Sequence, residues 1–404
     1  MSATQTASVP GNDASRAGSN PLKRINLRQY GIMLALVVIV LLFQVLTDGK
    51  LLLPNNVASL MQQNAYVIVL ALGMLMIIIA GHIDLSVGSV VAFLGGVMGI
   101  AMMHWHLPWG VAVLIGVLLG LVVGAWQGFW VAYVGIPGFI VTLASMMLFR
   151  GLAIVLVGET IAGLPSGFVR ISNGGVLGIF GYMGVLDVFT LTLGAVLIVG
   201  FVVSEVRRRR SLVKNELRVE PGGLFLGRLI VISLVIGAFV FILAQSAIGT
   251  PFVLIICGIL VLVYNFVMSR TVFGRHIYAV GGNIASARLS GISIRATHFL
   301  MYLNMGFLTA VAAVITTSRS GASVAAAGQN YEMDAIASCF IGGAAVSGGI
   351  GRVSGTIIGA LIMGVLNMGL SILAVDAAWQ QSIKGLVLLL AVAFDLVNKR
   401  RGNR

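Results

Sequence analysis

Between Arg270 and Ala296 the chain carries Arg270, Arg275, His276, Arg288 and Arg295 and no Asp or Glu, in the middle of an otherwise apolar sequence. The positive-inside bias places such a segment on the cytoplasmic face, and its shape suits it to be gripped by a partner. Asn283 can N-cap a short helix over Ala285 to Leu289, and Gly291 can turn left-handed just past its end. Asn283 and Gly291 therefore delimit a stiff knob of one or two turns, with Ile284, Leu289 and Ile292 as its apolar contacts. The plainer alternative is an ordinary cytoplasmic loop.

A second set of polar residues interrupts the apolar runs. Asp84 is the only acid between Asp48 and Glu159 and sits at a break flanked by Gly81 and Gly88. A carboxylate there contacts a cation, faces water, or caps the helix that begins near Leu85. Arg150 falls midway along a span; it is a functional candidate, or it snorkels or bonds a neighbour's exposed carbonyl. Gly348, Gly349 and Arg352 lie in a Gly-rich string, Cys339 to Thr356, where regular helix is expected to break. Gln63, Asn64, Thr142 and Asn304 can line a path for a polar solute, or hydrogen-bond one helix to another. Cys257 and Cys339 have no metal-ligand spacing and read as packing residues, with a disulfide as the alternative. No GxxxxGK[ST] phosphate loop occurs, so neither ATP hydrolysis by that route nor a cofactor or metal is expected.

These residues need a membrane scaffold. With 59% hydrophobic and 9% charged residues over 404 positions, the apolar surface exceeds what a soluble core can bury. Runs of about 20 apolar residues exclude the short alternating segments of a β-barrel, so the class is an all-α polytopic membrane protein. Ten to twelve crossings are expected, with both basic termini cytoplasmic. The formal charge of +13 is topological: 20 of the 25 Lys and Arg collect in the termini, the 205–228 segment, the 270–296 loop and Arg352. It implies contact with membrane lipid and no nucleic acid. Residues 1–29 read as a disordered tail, 30–397 as the transmembrane domain and 398–404 as a basic tail. The 204–223 insertion, with its RRRR run, suits a solvated loop or a surface helix near anionic lipid. Gly116, Gly120, Gly124 and Gly128 leave one helix face bare for close packing. The stretches around Val57–Met103 and Asp334–Leu373 each place a Gly-rich break between two helices, a weak internal repeat.

IDLSVGS (83–89), IPGFIVTLASMMLFRG (136–151), GRHIYAVGGNIASARLSGI (274–292) and GGAAVSGGIGRVSGT (342–356) together resemble the permeases of bacterial ABC importers for monosaccharides. The likeness is to their xylose and multiple-sugar branch, which shares a charged insertion in the middle. IPGF departs from relatives that carry a second proline before the phenylalanine. The resemblance implies a bacterial inner-membrane subunit that forms a sugar path with a second, identical copy. An ABC ATPase subunit would seat the 270–296 loop from inside, with Gly274, Arg275, Gly282, Asn283, Arg288 and Gly291 as the coupling residues, and a periplasmic sugar-binding protein would dock outside. An ion-coupled secondary transporter is the rival; it needs mid-membrane carboxylates, whereas the 12 acids lie almost wholly in loops and helix ends.

Overall fold

Prolines set the helix boundaries. Pro54 lies in the first turn of a helix, and Pro108, Pro137, Pro165, Pro221 and Pro251 each stand immediately before one. A proline costs nothing there, because the first-turn N–H groups have no intrahelical partner and its φ is already suitable.

The computed structural model describes residues 27–217 and 219–402. The first 26 positions of the expected N-terminal tail therefore lie outside the described residues. The helices are α1 (Leu27–Leu46), α2 (Pro54–Ile79), α3 (Val87–Met103), α4 (Trp109–Phe129), α5 (Gly138–Val157), α6 (Ser166–Asn173) and α7 (Val188–Lys214). They continue with α8 (Gly222–Leu243), α9 (Phe252–Arg270), α10 (Val272–Gly282), α11 (Ile284–Leu289), α12 (Ile294–Ser320), α13 (Tyr331–Ile341), α14 (Val353–Ile372) and α15 (Ala377–Gly402). Among the described residues, eight helices are long and apolar enough to cross a membrane, and α3 and the Gly31–Leu46 part of α1 are shorter apolar helices. The chain is an all-α polytopic membrane protein.

α2 is the axis of the fold. Its apolar window is 94% buried, against 11% for α7 and 17% for α8, so the other helices wrap α2 and the α7–α8 hairpin stands at the periphery. The glycine ridge of α4 explains the tightest packing. A Cβ on Gly120 would come within 2.7 Å of the Gly306 carbonyl, and one on Gly124 within 2.5 Å of the Tyr302 carbonyl, so α12 lies backbone to backbone on α4. Gly355 and Gly359 do the same for α14 against α13, at the Gly342 and Ser338 carbonyls. Both cysteines are free and buried, their thiols pointing at the α2 carbonyls of Ala65 and Ala71.

One end of the bundle is stitched by short antiparallel pairings, Ile161–Ala162 with Ala322–Ser323 and Gly175–Val176 with Thr250–Pro251. The other end carries the charged insertion, the first half of which is helical. α7 runs through all four arginines to Lys214, because Glu, Arg and Lys are good helix formers. Likewise α15 runs through Asn398 to Gly402, so the expected basic tail is helical as far as it is described, and its last two residues lie outside the described residues.

Candidate functional site

The basic segment folds into two short helices. The Thr271 hydroxyl accepts the Gly274 amide at 3.2 Å and starts α10. Gly274 is buried against the Met268 backbone, which a Cβ would approach to 2.7 Å. Asn283, extended at φ −160, ends α10 and caps α11 by accepting the Ser286 amide at 2.9 Å. Gly291 is left-handed at φ 79, and the Ile292 amide donates to the Ala287 carbonyl at 3.1 Å to close the turn. The six-residue α11 is thus fixed at both ends. Its outward side presents Arg288, Ile284 and Leu289, the last 89% exposed, and Arg275 and Gly282 are exposed on α10.

The inward side of α10 meets the break that follows α2 and the one that precedes α14. The Gly349 amide donates to the Ile79 carbonyl, the last of α2, at 2.8 Å. Gly281 lies between them: a Cβ there would collide with the Ile79 carbonyl and approach the Gly349 nitrogen to 2.9 Å. Gly348 and Gly349 both take positive φ, 78 and 73, which an L side chain resists. The Tyr278 hydroxyl donates to the Gly351 carbonyl at 2.8 Å. Burial pushes the Tyr278 phenol up, partly offset by the Arg352 charge, so it stays a neutral donor. Beside this junction a cavity of about 360 Å³ is lined by Tyr278, Gly349, Gly351, Arg352 and Ser354. α10 is thus in direct contact with the end of α2 and with the string leading to α14.

The other singled-out side chains do not converge on one cavity. Asp84 accepts both the amide and the hydroxyl of Ser86, at 2.8 and 2.6 Å, and Ser86 in turn accepts Gln127 Nε2 at 2.7 Å. The carboxylate therefore orders the unwound Gly81–Ser86 segment, and α3 begins later than Leu85, at Val87, with no side-chain cap. The Thr142 hydroxyl is buried and reaches the Ile83 and Phe139 carbonyls at 3.3 Å each. Asn64 bonds the Leu60 carbonyl of its own helix and accepts Asn367 Nδ2 from α14 at 3.1 Å. Asn304 accepts the Tyr264 hydroxyl and points its amide at Met76 Sδ at 3.3 Å. Gln63 is exposed. Arg150 donates to the Ala325 and Ala327 carbonyls at 2.9 and 2.8 Å, pinning the non-helical stretch before α13.

A charge pair within the helix bundle joins residues far apart in the chain. Lys384 of α15 lies 3.2 Å from Asp334 Oδ1, and the Tyr66 hydroxyl donates to Asp334 Oδ2 at 2.7 Å. Tyr66 is midway along α2 and stacks on Tyr331 with centroids 3.6 Å apart. Asp334 is therefore at mid-height of the central helix, 1% exposed, although it sits in the first turn of α13. Asp334 lies at a helix end, as expected, but that helix end is itself deep in the bundle.

The family described as branched-chain amino acid transport system / permease component matches residues 56–392. The chain belongs to that family. The permease is also 39% identical over 383 residues to the xylose transport system permease protein XylH of Haemophilus influenzae, covering 94% of this chain and 99% of that one. XylH of Escherichia coli K12 is 36% identical over 387 residues, 95% of each chain. The ribose import permease protein RbsC of E. coli K12 is 31% identical over 369 residues, 91% of this permease and 93% of its own length. No solved structure matches.

Gly281, Tyr66, Asp334 and Lys384 of this permease were missed as a set. Lys384 was the available signal, since a lone cation in an apolar helix demands a counter-charge. Nothing local says which acid supplies it.

Proposed function

We propose that this permease is the membrane subunit of an ATP-driven importer that moves a monosaccharide, xylose or a similar pentose or hexose, across the bacterial inner membrane by alternating access. The observation that carries the reading is the two-sided geometry of the α10–α11 unit. Outward it offers a rigid, uncovered Leu289 and Arg288; inward Gly281 is wedged into the contact between Ile79 and Gly349. A separate ABC ATPase grips the first side and, through the second, displaces the ends of α2 and α14. Relatives named for xylose and ribose support a neutral sugar as cargo. In this reading both termini are cytoplasmic, a second copy completes the path, and a periplasmic sugar-binding protein delivers the solute. Gln63, Asn64, Thr142 and Asn304 contribute polar groups to the path when the helices part, and Asp84, Arg150, Gly348, Gly349 and Arg352 hold the breaks about which they move.

The test is reconstitution of the full chain in vesicles with its ATPase and binding protein. Sugar is expected to accumulate only when all three and ATP are present. Accumulation by the permease alone would sink the proposal. The buried Asp334–Lys384 pair is what an ion-coupled secondary transporter would use, so a protonophore is the second arm: collapse of uptake with ATP still present favours that rival.

A further inference from the structure

The α7–α8 hairpin is the one pair of long helices that barely enters the core, and its far end concentrates charge. Ser204 to Arg228 holds seven cations and three carboxylates. The carboxylates are already engaged where they touch cations: Glu205 pairs with Arg228 at 2.6 Å and Arg208 at 3.4 Å, and Glu220 pairs with Arg228 at 3.2 Å. Arg207, Arg209, Arg210 and Lys214 have no ion-pair partner among the described residues. Arg209 is held over the Phe225 ring, 4.5 Å from its centroid, and Arg228 lies 5.7 Å from the same ring. Beside these side chains a mixed-charge cleft of about 160 Å³ opens, lined by Glu205, Arg208, Arg209, Glu220, Phe225 and Arg228, whereas Arg207, Arg210 and Lys214 lie outside it.

The height of this cluster identifies what it meets. Val199 and Val203 of α7 and Leu224 and Leu226 of α8 are exposed apolar side chains within two turns of the arginines. In a helix that faces hydrocarbon, that boundary is the level of the lipid phosphates. Four successive arginines spread around the helix at 100° per residue, so the belt cannot all turn toward α8. Arg207, Arg208 and Arg210 are indeed exposed.

We propose that the inner rim of the α7–α8 hairpin is a binding site for phospholipids with a net negative headgroup. The arginine belt and Lys214 supply charge to the phosphates, and the apolar faces of α7 and α8 receive the acyl chains. The proposal requires membrane residence alone and is independent of the sugar and the ATPase.

The test follows the melting temperature and the retained lipid, by native mass spectrometry, of the purified full chain titrated with phosphatidylglycerol, phosphatidylcholine or inorganic phosphate. Phosphatidylglycerol is expected to raise the melting temperature and stay bound, and the other two to do neither. R207Q/R210Q/K214Q removes three exposed cations and is expected to weaken phosphatidylglycerol binding roughly a hundredfold, from about 1 kcal/mol for each cation near an anionic surface. K50Q, an exposed lysine at the opposite end of the fold, leaves it unchanged. The proposal is overturned if the triple variant binds phosphatidylglycerol like the wild type, if phosphatidylcholine binds equally well, or if inorganic phosphate alone reproduces the shift.

Discussion

The amide of Gly349 donates to the carbonyl of Ile79 at 2.8 Å, joining the break before α14 to the last residue of α2, and Gly281 is pressed against both groups. A methyl group has no room there. Overpacking of this kind costs about 1–3 kcal/mol, and here it falls on the junction through which α10 would move two helices. G281A should insert normally but lose about tenfold or more in sugar uptake per molecule in the membrane. G258A on α9, where a Cβ would meet nothing within 4 Å, is the matched control and should transport normally.

Asp334 is buried with Lys384 and Tyr66 as its partners. Removing one partner of a buried pair leaves an uncompensated charge, a loss of about 3–5 kcal/mol. K384M should therefore lower the melting temperature markedly, and K384M/D334L should recover much of it because no charge remains buried. A double variant as unstable as the sum of the singles would contradict this coupling.

Leu289 and Arg288 are exposed and stabilise nothing in this chain. L289E and R288E should leave the stability within about 0.5 kcal/mol of the wild type, as for ordinary surface changes. Co-purification of the ATPase and sugar uptake should both fall. G291P forces a residue locked near φ −65° into a position held at φ 79, so it should uncouple transport by unwinding the end of α11. Wild-type uptake by a stably inserted R288E protein would remove α11 from the mechanism.

Arg150 is expected to hold the stretch that precedes α13 through the Ala325 and Ala327 carbonyls. R150M strands two acceptors, a cost of about 2 kcal/mol or more. Hydrogen exchange over 322–330 should accelerate in R150M, with R150K intermediate because an ammonium lacks the planar fork.

At the opposite end from the arginine belt, Asp187 caps α7. Burial disfavours its charge, but hydrogen bonds from the Thr190 hydroxyl and from the Gly178 and Thr190 amides outweigh it and hold the carboxyl below its usual range. A folded-state value below the unfolded one means stability that is present above the unfolded pKa of about 3.9 and lost as pH falls through the folded value. D187A should thus cost about 1–2 kcal/mol at pH 7, and its deficit against the wild type should shrink as the pH drops below about 3.9. A deficit that grows with acidity would reverse that assignment.

Much of this protein is written locally. Hydropathy and proline placement delimit the spans, since a helix is specified by its own residues and ends where a proline or a left-handed glycine stops it. The α11 knob was legible in the same way: Asn283, Gly291 and Ile292 lie within ten residues of one another, and the bonds that close the helix at its two ends are made inside that window. The glycine ridge announced a close helix contact without naming its partner, which is α12.

Only the tertiary structure decided the contacts between distant segments. Tyr66 and Asp334 are 268 residues apart, and Lys384 is a further 50 along the chain. The sequence marks each as an anomaly in an apolar setting but has no term for which anomaly compensates which. Asn64, Thr142 and Asn304 show the same limit, because a polar side chain in a span reads alike whether it faces a path or a neighbouring helix. Pairing is a property of how α2, α13 and α15 are brought together, and that follows from the summed packing of the whole bundle rather than from any stretch of residues within it.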